Sequence, residues 1–308
     1  VWRYVMRQNY SYLKNVAYYP YIPGLKKAGL TIEKIPSLQE INDALKLIEW
    51  GAVTVDGFIP PAAFMEFQAY RVLVIAADIR QLEHIEYTSA PDIIHESAGH
   101  APIISDTKYN QYLSYLGSIG TKALFSSKDY ALYESIRSLS ILKEIPNVDQ
   151  KELADAEALV LYNQQNLGAP SEMALLSRLQ WWTVEYGLIG DIDQPKIYGA
   201  GLLSSIGESD WCMQDAVEKR PYSIAAATIN FDITKPQPQF VCGLTRARVA
   251  ILFRIALISP SVIRSEPTEP ICIDKSQLSI TELYIVKNPL VFWVELPWLL
   301  LIGEPFIA

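Results

Sequence analysis

The chain has 308 residues, half of them hydrophobic and 19% charged, and its 34 acidic and 26 basic side chains leave a formal charge of −8. That composition is globular, with length for one large or two modest cores, and it excludes disorder. The acidic balance and the lack of any Lys/Arg-rich run exclude an electrostatic grip on nucleic acid.

Cys212, Cys242 and Cys272 are widely spaced and odd in number. They make neither a disulfide framework nor a Cys-x-x-Cys metal site, so a reducing, cytoplasmic setting is expected. The opening VWRYVMRQNYSYLKN carries no signal-like apolar run and no initiating Met.

Ser37 and Glu40 form a capping box ahead of INDALKLIEW, which predicts a helix with Ile41, Ala44, Leu45 and Ile48 on one face. RVLVIAADIR, residues 71–80, is a buried run that suits a strand or a helix. In PDIIHESAGHAPII a helix is expected from Asp92 as N-cap to Gly99, followed by a turn, with Pro102 opposing continuation. Asp149 and Glu152 open a helix with Leu153, Ala156, Leu159 and Val160 on one side. Pro170–Ser171 open another with Leu175, Leu179 and Trp182 inward.

YGAGLLSS and FDITKPQPQFV suggest short strands and turns. Beyond residue 243 the apolar sequence is broken by Pro260, Pro267, Pro270, Pro289, Pro297 and Pro305. Lys287, Glu295 and Glu304 interrupt its last stretch, whereas a spanning helix needs about 20 consecutive apolar residues. No membrane span is expected there. The fold class expected is α+β, mainly α.

Only three histidines exist, His84, His95 and His100, and two lie five apart in one motif. On a continuous α-helix they point about 140° apart, so a metal site needs the chain to turn at Gly99 and swing His100 back. The alternative is two ordinary core or surface histidines. Glu185, three residues after Trp182, continues an apolar stripe, where a carboxylate is costly unless it is paired or bound to a cation. Two imidazoles and one carboxylate are the facial arrangement of non-haem Fe(II) oxygenases. A salt bridge from Glu185 to Arg178 is the competing reading.

PDIIHESAGHAP, LGAPSEMALLSRLQWWTVEYGL and IYGAGLLSSIGE, in this order, resemble the aromatic amino acid hydroxylases, which act on Phe, Tyr or Trp. The likeness extends upstream through AYYPYIPGLKKAGL, IPSLQEINDAL and RVLVIAADIRQLEHIEYTSAPD. It runs, with gaps, from about residue 2 to residue 242.

The resemblance implies a catalytic domain over 1–242, with 243–308 a segment unlike the family and of unknown role. It implies His95, His100 and Glu185 as Fe(II) ligands, and Glu96 and Phe64 beside a tetrahydropterin. Arg80, Thr88 and Ser204 would hold the amino acid's charged groups, Arg80 by the bidentate fork that suits a carboxylate. Asp92 would orient Arg80, a role competing with its N-cap role. Pro91, Trp181, Tyr186 and Gly201 would wall the ring pocket.

Two departures stand out. Ala90 replaces a Glu of the animal enzymes, and Gln180 replaces a Tyr. A mostly helical insertion, roughly 120–162 and absent from the animal enzymes, is expected beside the metal cleft as a lid or an interface.

The implied activity is ring hydroxylation of an aromatic L-amino acid, phenylalanine to tyrosine first, with Fe(II), tetrahydropterin and O2. Tryptophan or tyrosine hydroxylation stays open within the family. Outside it stand a zinc hydrolase using His95, His100 and Glu96, and a catalytically silent pterin- or amino-acid-binding module. The expected state is a monomer or small homo-oligomer.

Overall fold

The computed structural model describes residues 1–244, apart from 56, 89, 146, 232, 234 and 235. The expectations for Cys272 and for the proline-broken tail lie outside the described residues.

The chain opens with α1 (Trp2–Val16), α2 (Tyr21–Lys27) and α3 (Leu38–Leu45). Ser37 caps α3 as its sequence predicts. The Ser37 hydroxyl accepts from the Glu40 N–H, and the Glu40 carboxylate accepts from the Ser37 N–H. The helix therefore starts before Ile41, and it ends at Leu45 in a short 3-10 turn.

The strand β1 (Gly51–Val55), α4 (Pro61–Ala69) and β2 (Val72–Ala76) make one crossover unit. The two strands run parallel, from Gly51 opposite Val72 to Val55 opposite Ala76. The ambiguous run at 71–80 is thus a strand, four of its five residues buried.

Next come α5 (Ala101–Ile104), α6 (Thr107–Gly120), α7 (Ser127–Glu144), α8 (Gln150–Gln165) and α9 (Glu172–Gln180). After them stand β3 (Gly187–Ile189), β4 (Lys196–Ile197), α10 (Ala200–Ser204), α11 (Ile206–Trp211), β5 (Glu218–Pro221) and β6 (Gln239–Leu244). The second sheet has the order β4-β3-β6-β5, with β6 parallel to both neighbours. YGAGLLSS accordingly contributes little strand: after Ile197 and a short turn it winds into α10. The α+β, mainly α, class holds.

One core joins these elements. Leu13, Ile94, Ile103, Leu113, Leu116, Trp182 and Phe240 are fully buried in it. Met173, Leu176 and Leu179 are the inward stripe of α9, while Leu175 is only half-buried. In α8 the expected inward Leu159 is 50% exposed and only Val160 is buried. The helix packs on α7 and little else, so one narrow contact covers only part of its apolar face.

Among the described residues no helix is long and apolar enough to cross a membrane. Cys212 and Cys242 are buried free thiols.

Candidate metal centre

The helix begun at Ile93 does not turn back at Gly99. From His95 to His100 it widens into a π turn and runs on into α5. The Ala101 N–H returns to the Glu96 carbonyl, five residues back. A π turn takes up one residue more than an α turn, so residues five apart come round to the same side. The two imidazole Nε2 atoms stand 3.2 Å apart, with the rings at 82°.

Gly99 has a different use from the one expected. A Cβ there would lie 2.5 Å from the Ala200 carbonyl oxygen, so glycine lets α10 press onto the π turn. Pro102 does not stop the helix, which continues through it as the second residue of α5.

The third polar atom of the cluster arrives by the same device. Ser171 caps α9 by accepting from the Ala174 N–H, and the helix ends in a π turn over Trp181–Glu185. The Tyr186 N–H bonds to the Trp181 carbonyl at 2.7 Å. Glu185 Oε2 thereby sits 3.3 Å from His95 Nε2 and 3.2 Å from His100 Nε2, and it faces the histidines, not Arg178.

Three donors bound to one ion at roughly 2.1 Å stand about 3.0–3.4 Å apart, depending on the bond angle. The observed separations fit. Glu185 Oε2 is also buried without a hydrogen-bond partner, an expensive condition for a carboxylate that a cation relieves. The donor set, two imidazoles and a carboxylate, suits Fe(II).

The buried charges also act on one another. Burial works to lower the His95 pKa, but the Glu96 and Glu185 carboxylates outweigh it and lift it to about 9. Burial works to raise Glu185, and the two histidines pull it well below the usual carboxylate range. Glu96 is pushed up by burial. Its oxygens lie 3.9 Å from each Nε2, too far to join the ligand set.

Outside the triad stands a layer of orienting contacts. Ser204 Oγ donates to the Ala200 carbonyl at 2.8 Å, so toward His95 Nδ1, at 3.1 Å, it is an acceptor. That places the ring proton on Nδ1 and leaves the Nε2 lone pair for an ion.

Asp92 performs both of its expected roles at once. Oδ1 accepts from the His95 N–H at 2.9 Å and from Arg80 Nη2 at 2.8 Å, while Oδ2 accepts from Arg80 Nε and the Arg80 N–H. Burial would raise its pKa; Arg80 wins and lowers it. Arg80 Nη1 also donates to the Ser204 carbonyl at 3.0 Å, so three of its five donors are committed to the protein.

The remaining expected site residues line one cavity. Phe64, Arg80, Thr88, Pro91, Glu96, Trp181, Tyr186, Gly201 and Ser204 all face it, together with His95 and Glu185. Asp92 lies behind Arg80, and His100 and Asp92 do not form part of the wall. Thr88 Oγ1 is turned to the Ala90 carbonyl at 3.0 Å. Gly201 makes room for Tyr186, since a Cβ would come within 2.7 Å of its ring.

Sequence reasoning missed Phe58, Glu208 and Phe231, which line the same space. Trp181 is stacked between Tyr186 and Phe231, with both ring centroids at 4.4 Å. The Tyr186 hydroxyl donates to Glu208 at 2.7 Å, and burial pushes the Glu208 pKa up to about 7. The one hint to Glu208 was an acid in the apolar run LLSSIGESDW.

A family model described as biopterin-dependent aromatic amino acid hydroxylase matches residues 2–133 and 139–245. Phenylalanine-4-hydroxylase of Pseudomonas aeruginosa is 27% identical over 216 residues, 70% of this chain and 65% of that one. The human phenylalanine-4-hydroxylase is 28% identical over 246 residues, 78% of this chain and 44% of that one. The chain thus spans just under two thirds of the bacterial relative's length.

Among solved structures, the apo phenylalanine hydroxylase of Colwellia psychrerythraea matches with a TM-score of 0.63 at 24% identity, covering 85% of each chain. The Chromobacterium violaceum enzyme bound to iron(III) and 7,8-dihydrobiopterin matches with a TM-score of 0.62 at 21% identity, covering 84% of this chain and 81% of that one. These two likenesses concern the fold.

Proposed function

The chain belongs to the biopterin-dependent aromatic amino acid hydroxylase family, and from that premise we propose that it hydroxylates the ring of an aromatic L-amino acid, phenylalanine first, using Fe(II), a tetrahydropterin and O2. The observation that carries this reading is the convergence of His95 Nε2, His100 Nε2 and Glu185 Oε2 within 3.3 Å of one another, with His95 and Glu185 on the wall of an aromatic cavity.

His95, His100 and Glu185 would hold the iron. Iron and tetrahydropterin together supply the reducing activation of O2 that places an oxygen atom on the ring. The protein's own share is binding, orientation and exclusion of water. The Nδ1 contact to Ser204 fixes the His95 ring. Arg80, locked by Asp92, offers its uncommitted N–H donors to the substrate carboxylate. Trp181, Tyr186 and Pro91 confine the aromatic ring, so that orientation is established before reaction. Phe64 and Glu96 flank the pterin. In this reading residues 1–242 are the catalytic part and 243–308 a segment of separate role. The setting is cytoplasmic, as a monomer or small homo-oligomer. Phenylalanine is preferred because the relatives named for an activity are phenylalanine-4-hydroxylases.

The test is aerobic incubation with Fe(II), tetrahydrobiopterin and each of Phe, Tyr and Trp, with mass spectrometry of the products. Hydroxylated phenylalanine is expected in excess. Glu185→Ala should lose turnover by more than the roughly 10–100-fold that an outer hydrogen bond contributes. A Glu185→Ala protein working at the wild-type rate removes the ligand assignment. Tightly held zinc with peptidase activity, or pterin binding with no turnover, selects the other readings.

A further inference from the structure

The α7–α8 hairpin is closed by contacts of its own. Ser126 and Asp129 form a capping box for α7, Asp149 caps α8, and Asn163 Nδ2 ties the two through the Ala131 carbonyl at 3.1 Å. One of its buried side chains spends its polar group elsewhere. Tyr133, 4% exposed, donates its hydroxyl to the Phe58 carbonyl at 2.8 Å, and the two rings lie 5.7 Å apart.

Phe58 belongs to the segment between β1 and α4, just after Gly57, whose φ is +68°. With Ile59 and Phe64 it walls the cavity that holds His95 and Glu185.

The chain just ahead of α7 is pinned to the metal side. The Leu124 N–H donates to Glu172 Oε2 at 2.9 Å, and the Met173 N–H donates to the Leu124 carbonyl at 3.1 Å. Both partners sit in the first turn of α9, the helix that leads to Trp181 and Glu185. Between the two anchors, Phe125, Tyr130, Tyr133 and Phe58 form a succession of ring contacts at 6.4, 6.0 and 5.7 Å. The hairpin is therefore a strut that takes its footing from the ligand-bearing helix and holds the segment at 57–60.

We propose that Tyr133 is a positioning residue that holds the 57–60 segment in place for the pterin, setting pterin affinity without acting on iron or the amino acid. The proposal rests on the hydroxylase reading and on Phe64 as the pterin's neighbour. Losing the hydroxyl removes one hydrogen bond from a segment whose glycine leaves it intrinsically free.

The experiment compares the wild type with Tyr133→Phe and Tyr133→Ala, all iron-loaded and anaerobic. Calorimetry gives Kd for 7,8-dihydrobiopterin and, separately, for L-phenylalanine, with iron content and Tm alongside. Tyr133→Phe keeps the ring and should weaken pterin binding roughly three- to tenfold. Tyr133→Ala should weaken it further, with iron content and the phenylalanine Kd unchanged in both. A fall in Tm with both Kd values unmoved, or moved equally, overturns the proposal by making Tyr133 merely structural. A wild type that does not bind dihydrobiopterin takes down the hydroxylase reading too, whereas a wild type that binds with variants that bind equally well defeats the strut alone.

Discussion

The cleft and the α7–α8 hairpin are both helical, and both begin at side-chain caps. They differ in what surrounds them. Around the triad every turn is pressed on several sides, to the point that Gly99 leaves no room for a methyl group beside Ala200. On the hairpin Ile141, Leu159, Leu161 and Tyr162 all stand more than 45% exposed. Caps start a helix, but neighbours decide what its faces are for. Where neighbours crowd, the helix gives up regular geometry to deliver ligand atoms; where they are few, it stays regular and leaves apolar side chains in solvent.

That contrast predicts steep penalties in the cleft and shallow ones on the hairpin. The steepest concerns Glu208, whose buried carboxyl titrates near 7 in the fold against an ordinary 4.5. A raised carboxyl pKa means that the fold favours the protonated form. Its contribution is intact below about pH 4.5 and is lost as pH rises through about 7, up to roughly 3 kcal/mol. Urea unfolding of wild type and Glu208→Gln at pH 5 and pH 8 measures it. The difference between the two proteins should shift by that order, and a constant difference would sink the idea.

Next comes Ser204→Ala, which leaves His95 Nδ1 without its acceptor. Fe(II) affinity, read by competition with a chelator, should fall about 10–100-fold; an unchanged affinity would mean that the imidazole is oriented by something else. At the shallow end, Leu159→Ser on the hairpin should change unfolding free energy by no more than about 0.5 kcal/mol. A loss of several kcal/mol there would show that α8 is covered by a partner and erase the contrast.

Much of this was legible in the sequence where the cause is local. Ser37 with Glu40, Asp149 and Ser171 act as caps because a cap needs only its own next three residues. The grouping of His95, His100 and Glu185 was also legible, by resemblance and by the odd placement of an acid on an apolar stripe. The route by which His95 and His100 meet was not. Periodicity arguments assume 3.6 residues per turn, and here the turn widens to a π turn where Gly99 packs against Ala200 of α10, about 100 residues away in the chain. The same blindness placed Leu159 and Leu175 inward, since an apolar stripe announces a face without saying whether anything covers it. Phe58, Glu208 and Phe231 were hidden because each borders the cleft through contacts distant in sequence.

The doubled π turn also bears on how such a site tolerates change in length. Deleting one residue between His95 and His100 would leave a histidine pair at the four-residue spacing of an ordinary α-helix, and the imidazoles would remain neighbours. Downstream the helix would also keep its phase, because five residues of a π turn and four of an α turn wind through nearly the same angle, and the Pro102 backbone would stay in the seat that Gly24 of α2 makes for it. The surplus residue is thus absorbed within a single turn, and what it changes is the local placement of the side chains between the two histidines, not the course of the helix beyond them.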